Sequence, residues 1–352
     1  MLKPILSPVV AFVLLSGVLS FACAPSAEAK PDKRKAAQER ARQIAGHNLA
    51  LEGHTAFKQK RFDDAIAKFT EAAKLKPLDP SVNYFLGLSA MYKDDYKLAE
   101  KALSRVVVMS GPKDKFAVSA LQCFDSRRKE FDRARPYSCL ISGGKFWRWA
   151  KERMPINVYL SNGSQLPKGF VGNDLNPQKM KQLSGWFRDP KFVSRLQVLR
   201  HFRPEYASAV KAGLNDWGWA NTEGFLKYQI VDDPSKADIL VFYCSTLNGN
   251  LPSMSTIPEG RHDPVVVQFP VEYFYKLPLD TWPTVIRSIA GHEFGHAFGL
   301  QHSDFKRDLM YPTDKIKFVH RNTDQTGPNV VTNNDAATLR ALYDLPAPIL
   351  KK

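Results

Sequence analysis

The sequence predicts an α+β protein in which an all-α front half precedes a mixed sheet with helices packed on it. Three observations carry this. Apolar residues recur at helical spacing through residues 31–133, with a period of 34. From Met154 onward, short runs rich in β-branched and aromatic residues alternate with amphipathic stretches, in the order strand, helix, strand, strand, strand, helix. The composition is that of a folded chain: 352 residues, 44% hydrophobic and 24% charged, with Gly 20 and Pro 24. It excludes disordered, collagen-like and coiled-coil chains, and the length suggests about two domains, each able to bury a core. Four cysteines are too few for a disulfide scaffold, so packing must hold the fold.

Residues 1–29 read as a secretory signal peptide. Lys3 precedes the apolar run Val9–Leu15, and Ala27-Glu28-Ala29 places small residues at −3 and −1 of a cut after Ala29. The run is too short for a membrane span and no stop-transfer pattern follows, so the expectation is a secreted or extracytoplasmic protein with no membrane span. A lipoprotein anchor at Cys23 is a minor alternative, because Ser20-Phe21-Ala22 fits a lipobox poorly.

Residues 30–136 form the helical region. Ala65, Ile66, Phe69, Ala72 and Ala73 share a helix face, Pro77 and Pro80 end the run, and Asp79 offers the next cap. Gly53, Ala65 and Phe69 fall on Gly87, Ala99 and Leu103, 34 residues later; Pro77 falls one residue short of Pro112. Small residues at fixed positions let two helices cross closely, and a proline ends each unit. This register resembles the tetratricopeptide repeat family over about 46–113, as two units. A helix at 33–45 and one at Asp114–Phe131 would cap the two ends.

Residues 137–150, containing Gly143-Gly144 and Ser138, read as a linker. Residues 151–347 are the second domain, and 348–352 a tail. Within it, Met154–Leu160 reads as a strand, Pro177–Trp186 as a short helix, and Pro204–Trp217 as a helix with Tyr206, Val210, Leu214 and Trp217 on one face. Strands follow at Phe225–Val231, Ala237–Cys244 and Val265–Phe269, then helices at Trp282–Phe298 and Asn334–Tyr343. Inserts at 161–203 and 246–263 are expected to shape a cleft.

The chemistry is concentrated in His292-Glu293-Phe294-Gly295-His296-Ala297-Phe298-Gly299-Leu300-Gln301-His302. Residues four apart share a helix face, so His292 and His296 can aim two imidazoles at one ion. Gly299 can adopt positive φ, end the helix and bring round His302. Three neutral imidazoles with Zn–N bonds of about 2.0–2.1 Å leave one position open, the arrangement of a catalytic rather than a structural zinc site. Glu293, beside the first ligand, is placed to accept a proton from water and later give it to a leaving amine. Only 8 histidines occur in the chain, and His47, His54, His201, His262 and His320 lie outside this spacing.

Eight residues past His302 stands Met310, within Asp308-Leu309-Met310-Tyr311-Pro312. The pattern H-E-x-x-H-x-x-G-x-x-H followed by this methionine turn resembles the metzincin zinc endopeptidases. Ser303 and the Leu-Met-Tyr-Pro turn make it most similar to the matrixins, over roughly 151–345. The resemblance implies a metzincin-type mixed twisted sheet above an active-site helix. It implies His292, His296 and His302 as zinc ligands, Glu293 as catalytic base, and Met310 as an apolar floor without chemistry of its own. The substrate it implies is protein or peptide, extended along an edge strand, for which Val265–Phe269 is the expected candidate. The family's propeptide cysteine motif does not occur in residues 30–150, and a block of the metal by the Cys139 thiolate is a weak alternative. The family's calcium-binding stretches are not legible, so Ca2+ has no supporting motif. Tyr311 directly follows Met310 and is not assigned to the metal.

The charge is uneven: residues 30–150 carry 25 Lys/Arg and 14 Asp/Glu, while residues 151–352 carry 24 and 20. A basic helical half suits an acidic or protein partner, although a solvated helical surface is the plainer explanation. No nucleic-acid-binding motif is found, and the export signal disfavours nucleic acid. Removal of the signal leaves Cys123, Cys139 and Cys244; the first two would close a modest loop if bridged, and the odd count leaves one unpaired. The functional expectation is a zinc metalloendopeptidase. The alternative is an exported helical scaffold whose second domain is catalytically weak, against which all three histidines and Glu293 are retained.

Overall fold

The structure, a computed structural model, describes residues 33–141, 143–189, 191–247, 251–256, 264–312 and 330–347. The signal segment 1–29 with Cys23, His262 and His320, and the tail 348–352 lie outside the described residues. Contacts divide the chain after Ala41; of the first unit, residues 33–41 are described and begin helix α1 (Lys33–Lys58). The second unit, Arg42–Lys352, holds the rest of α1 and every other element described. The expected cap at 33–45 is therefore not a separate helix: no breaker falls between Ala45 and Lys58, and Gly46 and Gly53 are buried inside α1.

Helices α2 (Phe62–Leu75), α3 (Pro80–Met91), α4 (Tyr96–Met109) and α5 (Lys115–Ser126) follow at short intervals. Aspartates start three of them. Asp79 accepts from Val82 N, Asp95 from Leu98 N, and Asp114 from Phe116 N and Ala117 N, satisfying amides that have no partner within the helix. A Cβ on Gly53 would press on the Phe69 ring, and a Cβ on Gly87 on the Leu103 side chain, so one contact recurs 34 residues apart.

The junction expected at 137–150 is corrected by its burial. Tyr137, Cys139, Trp147 and Trp149 lie in the same core as the sheet and its helices, and Val108 of α4 joins that core. Two tryptophans and a tyrosine carry too much apolar surface to leave in water. α4 also packs against the last helix, α11 (Asn333–Asp344), with Arg105 ion-paired to Asp344.

The sheet holds β1 (Ile156–Gln165), β2 (Tyr228–Ile230), β3 (Ile239–Cys244), β4 (Met254–Ser255) and β5 (Val265–Pro270), in the order β2-β1-β3-β5-β4. All pairs are parallel except β4 on β5. β3 and β5 are buried along their whole length, which explains their unbroken apolar runs: a strand covered on both faces has no reason to alternate. β5 is thus an interior strand, and the edge expected there belongs to β4.

One sheet face packs on α7 (Pro204–Asn215) and α10 (Trp282–Ala297). Their axes approach closely at Gly213, where a Cβ would lie 2.5 Å from Arg287 O and 2.6 Å from Gly291 N. α8 (Gly218–Glu223) follows α7, and α9 (Val271–Tyr275) follows β5. The opposite face, through Leu240, Phe242 and Val266, is covered by Leu166, Phe170, Met180, Leu183 and Phe187, the last three on and beside α6 (Pro177–Trp186). Most of the 161–203 insert therefore roofs the sheet away from α10 instead of shaping a cleft beside it. Among the described residues no helix is long and apolar enough to cross a membrane. Cys123, Cys139 and Cys244 are all free; Cys139 lies in the sheet core and Cys123 packs against a separate helical cluster, so no bridge joins them.

Candidate metal centre

His292 and His296 stand one turn apart on α10, the first buried and the second half-buried, with ring centroids 4.7 Å apart. The helix ends at Gly299, whose φ of +105° is open to glycine and strained for other residues. A Cβ there would collide with the Trp147 carbonyl oxygen, so the turn is closed by the Trp147 backbone as well as by its own geometry. The turn brings His302 to centroid distances of 5.3 Å from His292 and 4.8 Å from His296. One ligating atom from each of the three lies within 4.8 Å of the others. His201 instead pairs with Glu272 at 2.7 Å, and His54 packs edge-on against Phe69 and Phe85.

Backbone carbonyls orient two of the rings. His292 Nδ1 lies 2.8 Å from Leu309 O, and His296 Nδ1 lies 2.8 Å from Leu300 O. A carbonyl only accepts, so each Nδ1 carries the hydrogen and each Nε2 keeps its lone pair for a metal. Burial, then the neighbouring His296, holds His292 well below the usual histidine range; burial, then His302, pushes His296 down to about 4. Both are neutral at pH 7, as ligation requires.

Glu293 is buried beside His292, and burial pushes its carboxyl up to about 7. Ser253 Oγ donates to Glu293 Oε1 at 2.7 Å, whereas Oε2 is buried with no hydrogen-bond partner among the described residues. An orphaned buried oxygen of this kind is costly, and a water held at the histidine centre would satisfy it. Three imidazole nitrogens with this carboxylate beside them fit zinc.

Met310 forms the floor. A Cβ on Gly295, between the two α10 histidines, would overlap the Met310 sulfur and lie 3.1 Å from Trp217 Cζ2, so the glycine admits the methionine to the helix. The turn is closed by Ser303 N donating to Met310 O at 2.8 Å and by Ser303 Oγ bonded to Asp308. Asp335 on α11 holds it from behind, accepting from Leu309 N at 3.0 Å.

The model of the matrixin family matches residues 275–344.

The matrixin match contains the three histidines, the methionine turn and α11, while the helices α1–α5 and all five strands lie outside it. No curated protein matches the chain in sequence. The match and the histidine cluster together fit a matrixin-like zinc metalloprotease, and the five-stranded, mostly parallel sheet is compatible with a metzincin-like fold.

Three contributors to the centre carried no sequence signal. Ser253 is one serine in a Gly/Pro/Ser-rich loop, with no spacing to mark it. Trp149 Nε1 donates to Ala297 O at 2.8 Å, and the Gln301 amide hydrogen-bonds the Cys139 thiol, from a segment that looked like a tether. Cys139 is buried and pushed up to about 12 by that burial, so it is a packed thiol and not a thiolate available to a metal.

Proposed function

We propose that this chain is an exported zinc metalloendopeptidase that hydrolyses peptide bonds in protein substrates, with His292, His296 and His302 as ligands and Glu293 as general base. The observation that carries the reading is the convergence of three histidines, from buried His292 to exposed His302, with the buried carboxyl of Glu293 on the same helix turn as His292 and its Oε2 unsatisfied among the described residues. Bound there, zinc would supply Lewis acidity, making water a better nucleophile and stabilising charge that develops on a carbonyl oxygen.

The residues do the rest. Glu293 Oε2 takes a proton from the attacking water and passes it to the amine nitrogen as the carbon–nitrogen bond breaks. Burial raises this carboxyl above the usual carboxylate range, which makes it a stronger base toward water. Leu309 O and Leu300 O keep two rings aimed through their Nδ1 hydrogens. Met310 and Trp217 exclude water from beneath. An extended peptide would add to the edge strand β4, whose outer side has no strand partner among the described residues.

Export is supported by the signal-like residues 1–29, and a tetratricopeptide-like role for the basic helical region by its 34-residue register. That region would bind an acidic or protein partner. A metal assay tests the centre itself. The purified chain should hold one zinc per molecule, and His302→Ala should lose it during dialysis that leaves the unaltered chain loaded. Full metal content in that variant would remove His302 from the ligand set.

A further inference from the structure

Glu293 stands next to His292 on α10, but what fixes its carboxylate comes from elsewhere. Residues 251–256 run into the edge strand β4, and Ser253 is the residue immediately before it. Both partners are nearly closed to solvent, with Ser253 at 6% and Glu293 at 4% exposure, so bulk water cannot easily replace their 2.7 Å bond. The terminal torsion of a glutamate is broad and nearly two-fold, so its two oxygens are ordinarily interchangeable. A hydroxyl donated to Oε1 alone removes that equivalence. One oxygen is committed to Ser253, and the other is left buried and unsatisfied.

We propose that Ser253 is a positioning residue for Glu293, holding Oε1 so that Oε2 is the oxygen that accepts and returns the proton. This rests on the reading of Glu293 as general base. Ser253 keeps its own proton throughout. Water gives one proton to Oε2 while its oxygen bonds to the scissile carbonyl carbon. The carbon–nitrogen bond then breaks with its electron pair going to nitrogen, and the proton on Oε2 follows to that nitrogen. A hydrogen bond to an ionised carboxylate is among the stronger ones, and it restrains direction as well as distance. The position of Ser253 adds a consequence. The next two residues, Met254 and Ser255, are the edge along which a peptide would pair, so the element that docks substrate also sets the angle of the base.

The test uses the full chain with Ser253→Ala and Ser253→Thr. Ser253→Ala should lower kcat roughly 10- to 100-fold, the scale of a misaligned catalytic group. KM and zinc affinity by chelator competition should stay close to those of the unaltered protein, the thermal midpoint should fall by only a few degrees as Oε1 loses its donor, and Ser253→Thr, which keeps the hydroxyl, should recover most of the rate. A second readout needs neither zinc nor turnover. In metal-free protein carrying 13C-carboxyl glutamate, Ser253→Ala should move the one resonance that Glu293→Gln removes. An unmoved resonance overturns the proposal, as does an unchanged kcat or a kcat loss that merely tracks a fall in thermal midpoint. Should the unaltered chain cleave no peptide, the reading of Glu293 as base fails, and the carboxyl resonance still decides whether Ser253 fixes its orientation.

Discussion

The Tyr137 phenol donates a 2.8 Å hydrogen bond to Asp335 Oδ1, joining residues 198 positions apart. Asp335 Oδ2 accepts from Leu309 N at 3.0 Å, and Leu309 O receives His292 Nδ1 at 2.8 Å. A residue just after the helical region thus supports the first metal ligand through two intermediaries. Removing the phenolic hydroxyl with Tyr137→Phe should weaken zinc affinity roughly tenfold, the low end for lost support behind a ligand. Chelator competition on the purified full chain measures this.

The same aspartate should give the fold a pH signature. Burial, then the neighbouring Asp308, pushes Asp335 up to about 6. The folded state therefore holds its proton more tightly than the unfolded chain, where an aspartate titrates near ~3.9. The stability this gives is fully present below about pH 4 and is lost as pH rises through 6, amounting to about 3 kcal/mol at most by linkage. Urea unfolding of metal-free protein from pH 4 to 7 should show this loss, and Asp335→Asn should flatten it.

Gly295→Ala should damage the floor of the centre, because the added methyl would occupy the place of the Met310 sulfur. An overpacked core typically costs about 1–3 kcal/mol, so the unfolding midpoint should fall while Gly224→Ala, at a glycine with no atom within 4 Å of such a methyl, changes it only through its positive φ. Parallel thermal melts of the two variants make the comparison.

A chain beginning at residue 151 should fail to fold cooperatively. It would lack Tyr137, Cys139, Trp147 and Trp149 from the core, the Trp149 bond to Ala297 O, and the carbonyl that closes the Gly299 turn. Two buried tryptophans alone represent several kcal/mol, a large part of the stability of an ordinary domain. Near-ultraviolet circular dichroism and a denaturant titration on that fragment report the result; a sharp two-state transition would show that the segment is dispensable.

Much of the architecture is legible in the chain because it is local. Asp79 before Pro80, the unbroken apolar runs of β3 and β5, and the i, i+4 histidines of α10 each announce themselves within a few residues. Long-range packing is not. The 137–150 segment has the paired glycines and serines of a tether, and only partners such as Ala297, Asp335 and Leu345 make it part of the core. β4 is two residues long and gives no periodicity, so the apolar run of β5 looks like the edge until the pairing is seen. Ser253 is invisible for the same reason: its meaning lies in Glu293, 40 positions away.

The most direct measurement is cleavage of an unfolded protein substrate by the zinc-loaded chain and by its Glu293→Gln variant, with metal content determined on both. Loss of cleavage by several orders of magnitude, with zinc retained at one per molecule, is the predicted result. Equal cleavage by the two proteins would contradict the assignment of Glu293 as the base and, with it, the hydrolytic reading of the centre.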